Sequence, residues 1–127
     1  MTNRPCLELD LPYPPRQLAP NARVFWAEKQ RRTREYKTDV YYTAKAQYAG
    51  KAVVPLNPPV TAHTTFVVTT NRKRDEDNLS ASIKALWDAL VQLGLLAGDD
   101  AERLHHAPIA IEKGKKACVR VRLEAAS

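Results

Sequence analysis

With 127 residues the chain predicts one domain, residues 1–127, with a modest core and no room for a second. Hydrophobic residues make up 44% and charged residues 27%, which excludes a disordered polymer, and no apolar run has the length of a membrane span or a secretory signal. The expected setting is the cytoplasm with no membrane partner, and 20 Lys and Arg against 14 Asp and Glu leave a net charge of +6, a balance suited to a polyanion such as nucleic acid.

Cys6 to Leu11 alternates sufficiently for a first strand, and Pro12, Pro14, Pro15 and Pro20 then force an extended loop that ends at Asn21 and Arg23. Tyr36, Val40, Ala44 and Tyr48 step by four and predict a helix closed by Gly50, with a start near Ala22 or near Thr33. Lys29, Arg31, Arg32, Arg34 and Lys37 crowd its approach and first turns, interleaved with Phe25, Trp26 and Tyr36. That mixture fits a solvated helix face over buried aromatics, or a patch that holds DNA phosphate and stacks on bases. Pro55, Pro58 and Pro59 mark a second loop, and Val60 to Thr70 has strong strand preference, with His63 expected as a packing residue. Cys6 and Cys118 lie in apolar segments without a Cys-x-x-Cys pattern, so both read as reduced core thiols and structural zinc is unsupported.

The second strand feeds directly into the densest chemistry of the chain. Arg72, Lys73 and Arg74 precede Asp75, Glu76 and Asp77, and Leu79, Ile83, Leu86, Trp87, Leu90 and Leu93 then recur at helical steps. The pattern predicts one helix from Asn78 to Leu93, with Asp77 or Asn78 as its N-cap and Gly94 as its stop. Gly98 leads into a second acidic pair, Asp99 and Asp100. Singly, each acid has an ordinary structural role as a cap, a dipole partner or a turn residue. Together they are harder to explain that way, because in an extended approach Asp75 and Asp77 project from one face and converging carboxylates repel unless a cation neutralises them. Hard oxygen ligands favour Mg2+, with Mn2+ as a substitute. A helix of this span is about 24 Å long, so Asp99 or Asp100 joins the site only if the chain folds back toward the helix start or a second subunit closes the gap.

Beyond Asp100, Arg103 to Glu112 and Lys116 to Glu124 alternate apolar and charged residues and read as an antiparallel hairpin about the turn Lys113-Gly114-Lys115. His105 and His106 stand at its entrance, as strand surface or as metal or proton-transfer groups. The predicted fold class is α+β, a small mixed β-sheet packed with two main helices in a single domain.

Three segments carry a resemblance. The run R-D-E-D-N-L from Arg74 to Leu79, D-A-L at Asp88 to Leu90 and the glycine-led run ending in Asp99 and Asp100 resemble the RusA family of Holliday junction resolvases. Leu11-Pro12-Tyr13-Pro14-Pro15 resembles that family's L-P-x-P-P segment, and the tail is similar in its closing strands; the middle block is the specific part. The resemblance implies a RusA-like fold and a magnesium-dependent endodeoxyribonuclease, a homodimer that resolves four-way DNA by paired nicks. It also implies that Asp75, Asp77 and Asp100 are metal-binding catalytic carboxylates, with Asn78 matching the asparagine after the second. The family's catalytic lysine position is occupied here by Ala81, and the loop after Gly94 is one residue longer, which leaves Asp99 and Asp100 both open as the third ligand. Lys84, seven residues after Asp77, lies on the same side of the expected helix and offers a substitute ammonium. The other readings are a branched-DNA-binding relative that does not cut, and a protein-interaction module whose acids only cap a helix.

Overall fold

The computed structural model describes residues 6–47, 55–70 and 76–126, with side chains of the last segment from Asn78 onward. In chain order the elements are β1 (Cys6–Pro12), a 3₁₀ turn (Arg16–Leu18), α1 (Trp26–Gln47), β2 (Val60–Val68), α2 (Glu76–Ser82), α3 (Lys84–Leu93), β3 (Leu104–His106), β4 (Ala110–Lys113) and β5 (Cys118–Glu124). The α+β class expected from the sequence is observed: a mixed five-stranded sheet with three helices.

Alternation sets the two faces of the sheet. Val119, Val121 and Leu123 of β5, Leu9 and Leu11 of β1, and Val60, Ala62 and Phe66 of β2 are buried in one core. The intervening residues form a polar outer face, where the Arg120 guanidinium reaches Asp10 at 3.3 Å, Glu112 at 3.5 Å and Glu8 at 3.8 Å. His63 belongs to this face and is half-buried 3.3 Å from the Glu124 carboxylate, so it is a paired surface residue instead of a packing one. Cys118 is half-buried and Cys6 exposed, which corrects the expectation of two core thiols; both sit at the ends of strands whose inward positions are already filled by larger residues.

The strand order is β1-β5-β2-β3, with β4 also on β2. The expected hairpin of β4 and β5 is therefore not formed: β4 runs parallel to β2 on one side, and β5 runs antiparallel to it on the other. Burial explains the difference, because three fully buried side chains suit β5 to a central place, whereas all four residues of β4 are exposed and suit an edge. The Gly114 N–H donates to the Val68 carbonyl at 2.8 Å, carrying the chain around the end of β2.

Helix α1 starts at Trp26 and buries only Tyr36, Val40 and Ala44, a narrow stripe at i, i+4 and i+8 against β1 and α3. The Tyr36 hydroxyl donates to the Pro12 carbonyl at 2.8 Å, and burial pushes its pKa up. At the other end the Gln47 amide donates to the Asp10 carbonyl at 2.7 Å and accepts from the Asp10 N–H at 3.0 Å, covering part of the free edge of β1.

The single helix expected from Asn78 to Leu93 is instead two. Ile83 takes φ −110° and ψ 20° between α2 and α3, and the Ser82 hydroxyl donates back to the Leu79 carbonyl at 2.7 Å. Serine back-bonding and a β-branched residue weaken helix continuation at this point, and burial of Ile83 at 2% exposure holds the break. Asp77 and Asn78 are inside α2, which begins at Glu76, so neither is the N-cap. Gly94 is the stop, with φ 92° and its N–H on the Leu90 and Val91 carbonyls. Among the described residues no helix is long and apolar enough to cross a membrane.

Candidate functional site

Leu95 and Leu96 are buried just past Gly94, and the Leu95 carbonyl accepts the Leu56 N–H at 2.9 Å. These anchors send the following chain back beside the helix it has just left. The result is an open cleft of about 700 Å³ that brings Asp99 and His106 together with Ser80, Ala81 and Lys84 at the helix start. The fold-back within one chain thus places Asp99 beside residues of α2 and the start of α3.

The opposite wall is α1, which contributes Thr33, Arg34 and Lys37. Lys37 lies 3.9 Å from the Asp88 carboxylate across the cleft, and Trp87 and Ala85 supply apolar surface between the charged groups. The His106 ring packs edge-on against Trp87 with centroids 4.8 Å apart. Partial burial pulls the His106 pKa below its ordinary value, an effect partly opposed by the Asp99 charge.

The two acids after Gly98 do different things. Asp99 lines the cleft and is exposed. Asp100 organises its own turn: one carboxylate oxygen accepts the Glu102 and Arg103 N–H groups, both at 3.1 Å, and the other pairs with the Arg103 guanidinium. The Arg103 guanidinium and these N–H donors hold the Asp100 carboxyl below the usual carboxylate range. Asp100 does not line the cleft.

Of the basic residues singled out in the sequence, Arg34 and Lys37 line the cleft, Arg32 pairs with Glu35 at 3.4 Å, and Arg31 is solvated. Arg72, Lys73, Arg74 and Asp75 lie outside the described residues, and the Asp77 side chain does too; the Asp77 backbone stands one helical turn before Ala81 in α2. Tyr36 is withdrawn from the expected aromatic patch by burial, whereas Phe25 at 85% and Trp26 at 76% are highly exposed. Sequence reading passed over Asp88 and Thr33 as site residues. The signal was present, since Ala81, Lys84, Ala85 and Asp88 share one helical face, as do Thr33 and Lys37.

Asp99 and Asp88 are hard oxygen donors of the kind magnesium takes, and the His106 imidazole lines the same cleft. Among the described residues no group of three or more acidic, histidine or cysteine side chains is close enough to hold a metal ion. The side chains of Asp75, Glu76 and Asp77, which precede the cleft residues in sequence, lie outside the described residues.

No protein-family model matches the chain. It is similar to the crossover junction endodeoxyribonuclease RusA of Aquifex aeolicus (strain VF5), 26% identical over 91 residues that cover 72% of this chain and 68% of that protein.

Proposed function

We propose that this protein is a magnesium-dependent, structure-specific endodeoxyribonuclease that resolves four-way DNA junctions in recombination and repair, acting in the cytoplasm as a symmetric homodimer. The observation that carries the reading is the convergence of Asp99, Lys84, Arg34 and Lys37 on one open cleft in a basic protein. Carboxylates beside cations are what phosphodiester hydrolysis needs, one sign to hold a metal and the other to hold the DNA backbone. The similarity to a crossover junction endodeoxyribonuclease points to the same chemistry.

In this reading Asp75, Asp77 and Asp99 hold the ion, with Asp100 fixing the turn that presents Asp99. An ion held there would supply a water of lowered pKa and would neutralise charge on the scissile phosphate. Arg34 and Lys37 grip the phosphates flanking the cut, and Lys84 stands beside the developing negative charge. His106, packed edge-on against Trp87, offers a hydrogen bond at the rim. A junction with two-fold symmetry takes two matched cuts, which a symmetric dimer with one cleft per subunit delivers.

Ala81 favours a second reading, a relative of the same fold that binds branched DNA and leaves it intact. The test is a labelled four-way junction and a matched linear duplex, each incubated with magnesium, manganese or chelator. Paired symmetric nicks in the junction alone, lost with chelator and in Asp99→Asn, are the expected result. Tight junction binding without product under either metal would replace the resolvase with the non-cutting relative.

A further inference from the structure

The cleft does not end at Arg34 and Lys37. A second groove of about 370 Å³ shares those two residues and continues along α1 to Thr38, Tyr41 and Tyr42, with Gln92 of α3 on its far side. We infer that this groove is the track of the DNA strand leaving the cut, and that Tyr42 stacks on an unpaired nucleobase there while Arg34 and Lys37 hold the phosphate between the two compartments. The inference rests on the nuclease reading of the neighbouring cleft.

Three observations carry it. Tyr42 is 62% exposed, far more than a tyrosine needs for packing, while Tyr41 beside it is packed against the core. The two rings meet edge-on at 5.2 Å and 78°, and the Lys45 ammonium lies 6.0 Å from the Tyr41 ring centre, so the Tyr42 ring is a preset surface with a cation next to its support. Tyr41 and Tyr42 follow Lys37 by four and five residues, about 6 to 7.5 Å along the helix at 1.5 Å per residue. That is roughly two nucleotide steps of a stacked strand at 3.4 Å each. A phosphate held by Lys37 therefore places a nearby base within reach of the ring.

The flanking charge selects the occupant. Arg34 and Lys37 line the groove and Lys45 lies beside Tyr41, a basic setting that favours a polyanion and opposes a second copy of this chain presenting the same cations. A base-paired duplex keeps its bases stacked internally and offers no free face, whereas nucleotides at a branch do. The tyrosine thus adds affinity for branched DNA over duplex, a form of structure selectivity that needs no base-specific hydrogen bond.

The experiment uses the whole protein in chelator, so that no strand is cut, with a four-way junction carrying 2-aminopurine at the crossover nucleotides. The expected results are quenching of 2-aminopurine by the wild type and by Tyr42→Phe, and its loss in Tyr42→Ala together with junction binding weakened by about fivefold to hundredfold. Duplex affinity should fall far less, so the junction-to-duplex ratio collapses. If Tyr42→Phe is as weak as Tyr42→Ala, the hydroxyl holds a phosphate and the stacking assignment is overturned. Equal junction binding by wild type and Tyr42→Ala likewise overturns it while leaving the nuclease reading in place. Wild-type protein that binds neither junction nor duplex refutes the nuclease reading itself.

Discussion

Asp88 sits in a cleft proposed to carry DNA phosphate, with its carboxylate 60% exposed and 3.9 Å from the Lys37 ammonium. Asp88→Asn removes one negative charge at almost constant shape. A phosphate that takes over Lys37 comes to rest on the order of 6 Å from that carboxylate, and in water two like unit charges about 6 Å apart repel by about 0.7 kcal/mol, roughly threefold in affinity. Trp87 and Ala85 line the same cleft with apolar surface, and halving the effective dielectric doubles the penalty to about 1.4 kcal/mol, roughly tenfold. Near physiological salt, screening over a Debye length of about 8 Å cuts either figure by about half. Asp88→Asn is therefore expected to tighten junction binding about three- to tenfold in low salt and about two- to threefold near physiological salt. The assay is fluorescence anisotropy of a labelled junction in chelator across a salt series. The slope of log affinity against log salt should also steepen by up to about one counterion, since Lys37 becomes free to meet phosphate fully. Unchanged or weaker binding in low salt would show that no phosphate lies against Lys37 and that this cleft is not the DNA track.

Four further outcomes separate the roles assigned above. Asp99→Asn is expected to lower magnesium-dependent cleavage at least about hundredfold while melting like the wild type. Asp100→Asn should lower the melting temperature instead: a carboxyl held below its ordinary pKa stabilises the fold above that ordinary range and loses the contribution as pH falls through the lowered value. The gap between wild type and Asp100→Asn is thus full at neutral pH and closes on acidification, and a gap that widens in acid would contradict the assignment. Gly114→Ala puts a methyl group 2.6 Å from Val67 Cγ1, a clash expected to cost about 1–3 kcal/mol in urea unfolding. Trp87 lines the cleft and Trp26 does not, so quenching of tryptophan emission by junction DNA should persist in Trp26→Phe; a response lost there would place the DNA against Trp26 and away from the cleft.

The parts of the fold that were legible in the sequence depend on local periodicity. Strands β1 and β2, helix α1 and the Gly94 stop follow from alternation, from steps of four and from glycine's freedom at φ 92°. What escaped depends on competition between distant segments. Cys118–Glu124 and Ala110–Lys113 read as partners because they are neighbours in sequence, yet β5 gains more by lying between β1 and β2, where Val119, Val121 and Leu123 are all fully covered. The break at Ile83 escaped for a similar reason: the apolar steps continue through it, and only the buried position of Ile83 and the Ser82 back-bond reveal two helices. At the site, the turn separates two acids that stand side by side in the sequence: backbone N–H groups and Arg103 claim Asp100 and leave Asp99 facing the cleft, a difference set by the fold and not by residue type.

The same helix break bears on the lysine that the RusA pattern places at position 81. Ala81 and Lys84 both line the cleft, on either side of Ile83. On a continuous helix, residues three apart share a face, and the break between them leaves Lys84 as the first residue of α3, still on the cleft wall that Ala81 lines. An ammonium can thus occupy the cleft although its anchor has moved by three residues. If Lys84 stabilises the charge that grows on the phosphate, Lys84→Ala should lower single-turnover cleavage about a hundredfold or more, with junction affinity nearly kept. Adding Ala81→Lys to that variant should then recover much of the rate, because the cleft needs a cation and not a particular anchor. A rate that falls with Lys84→Ala and stays low in the double variant would show that position 84 acts by its geometry, whereas no change in Lys84→Ala would leave phosphate stabilisation to the α1 cations and the metal.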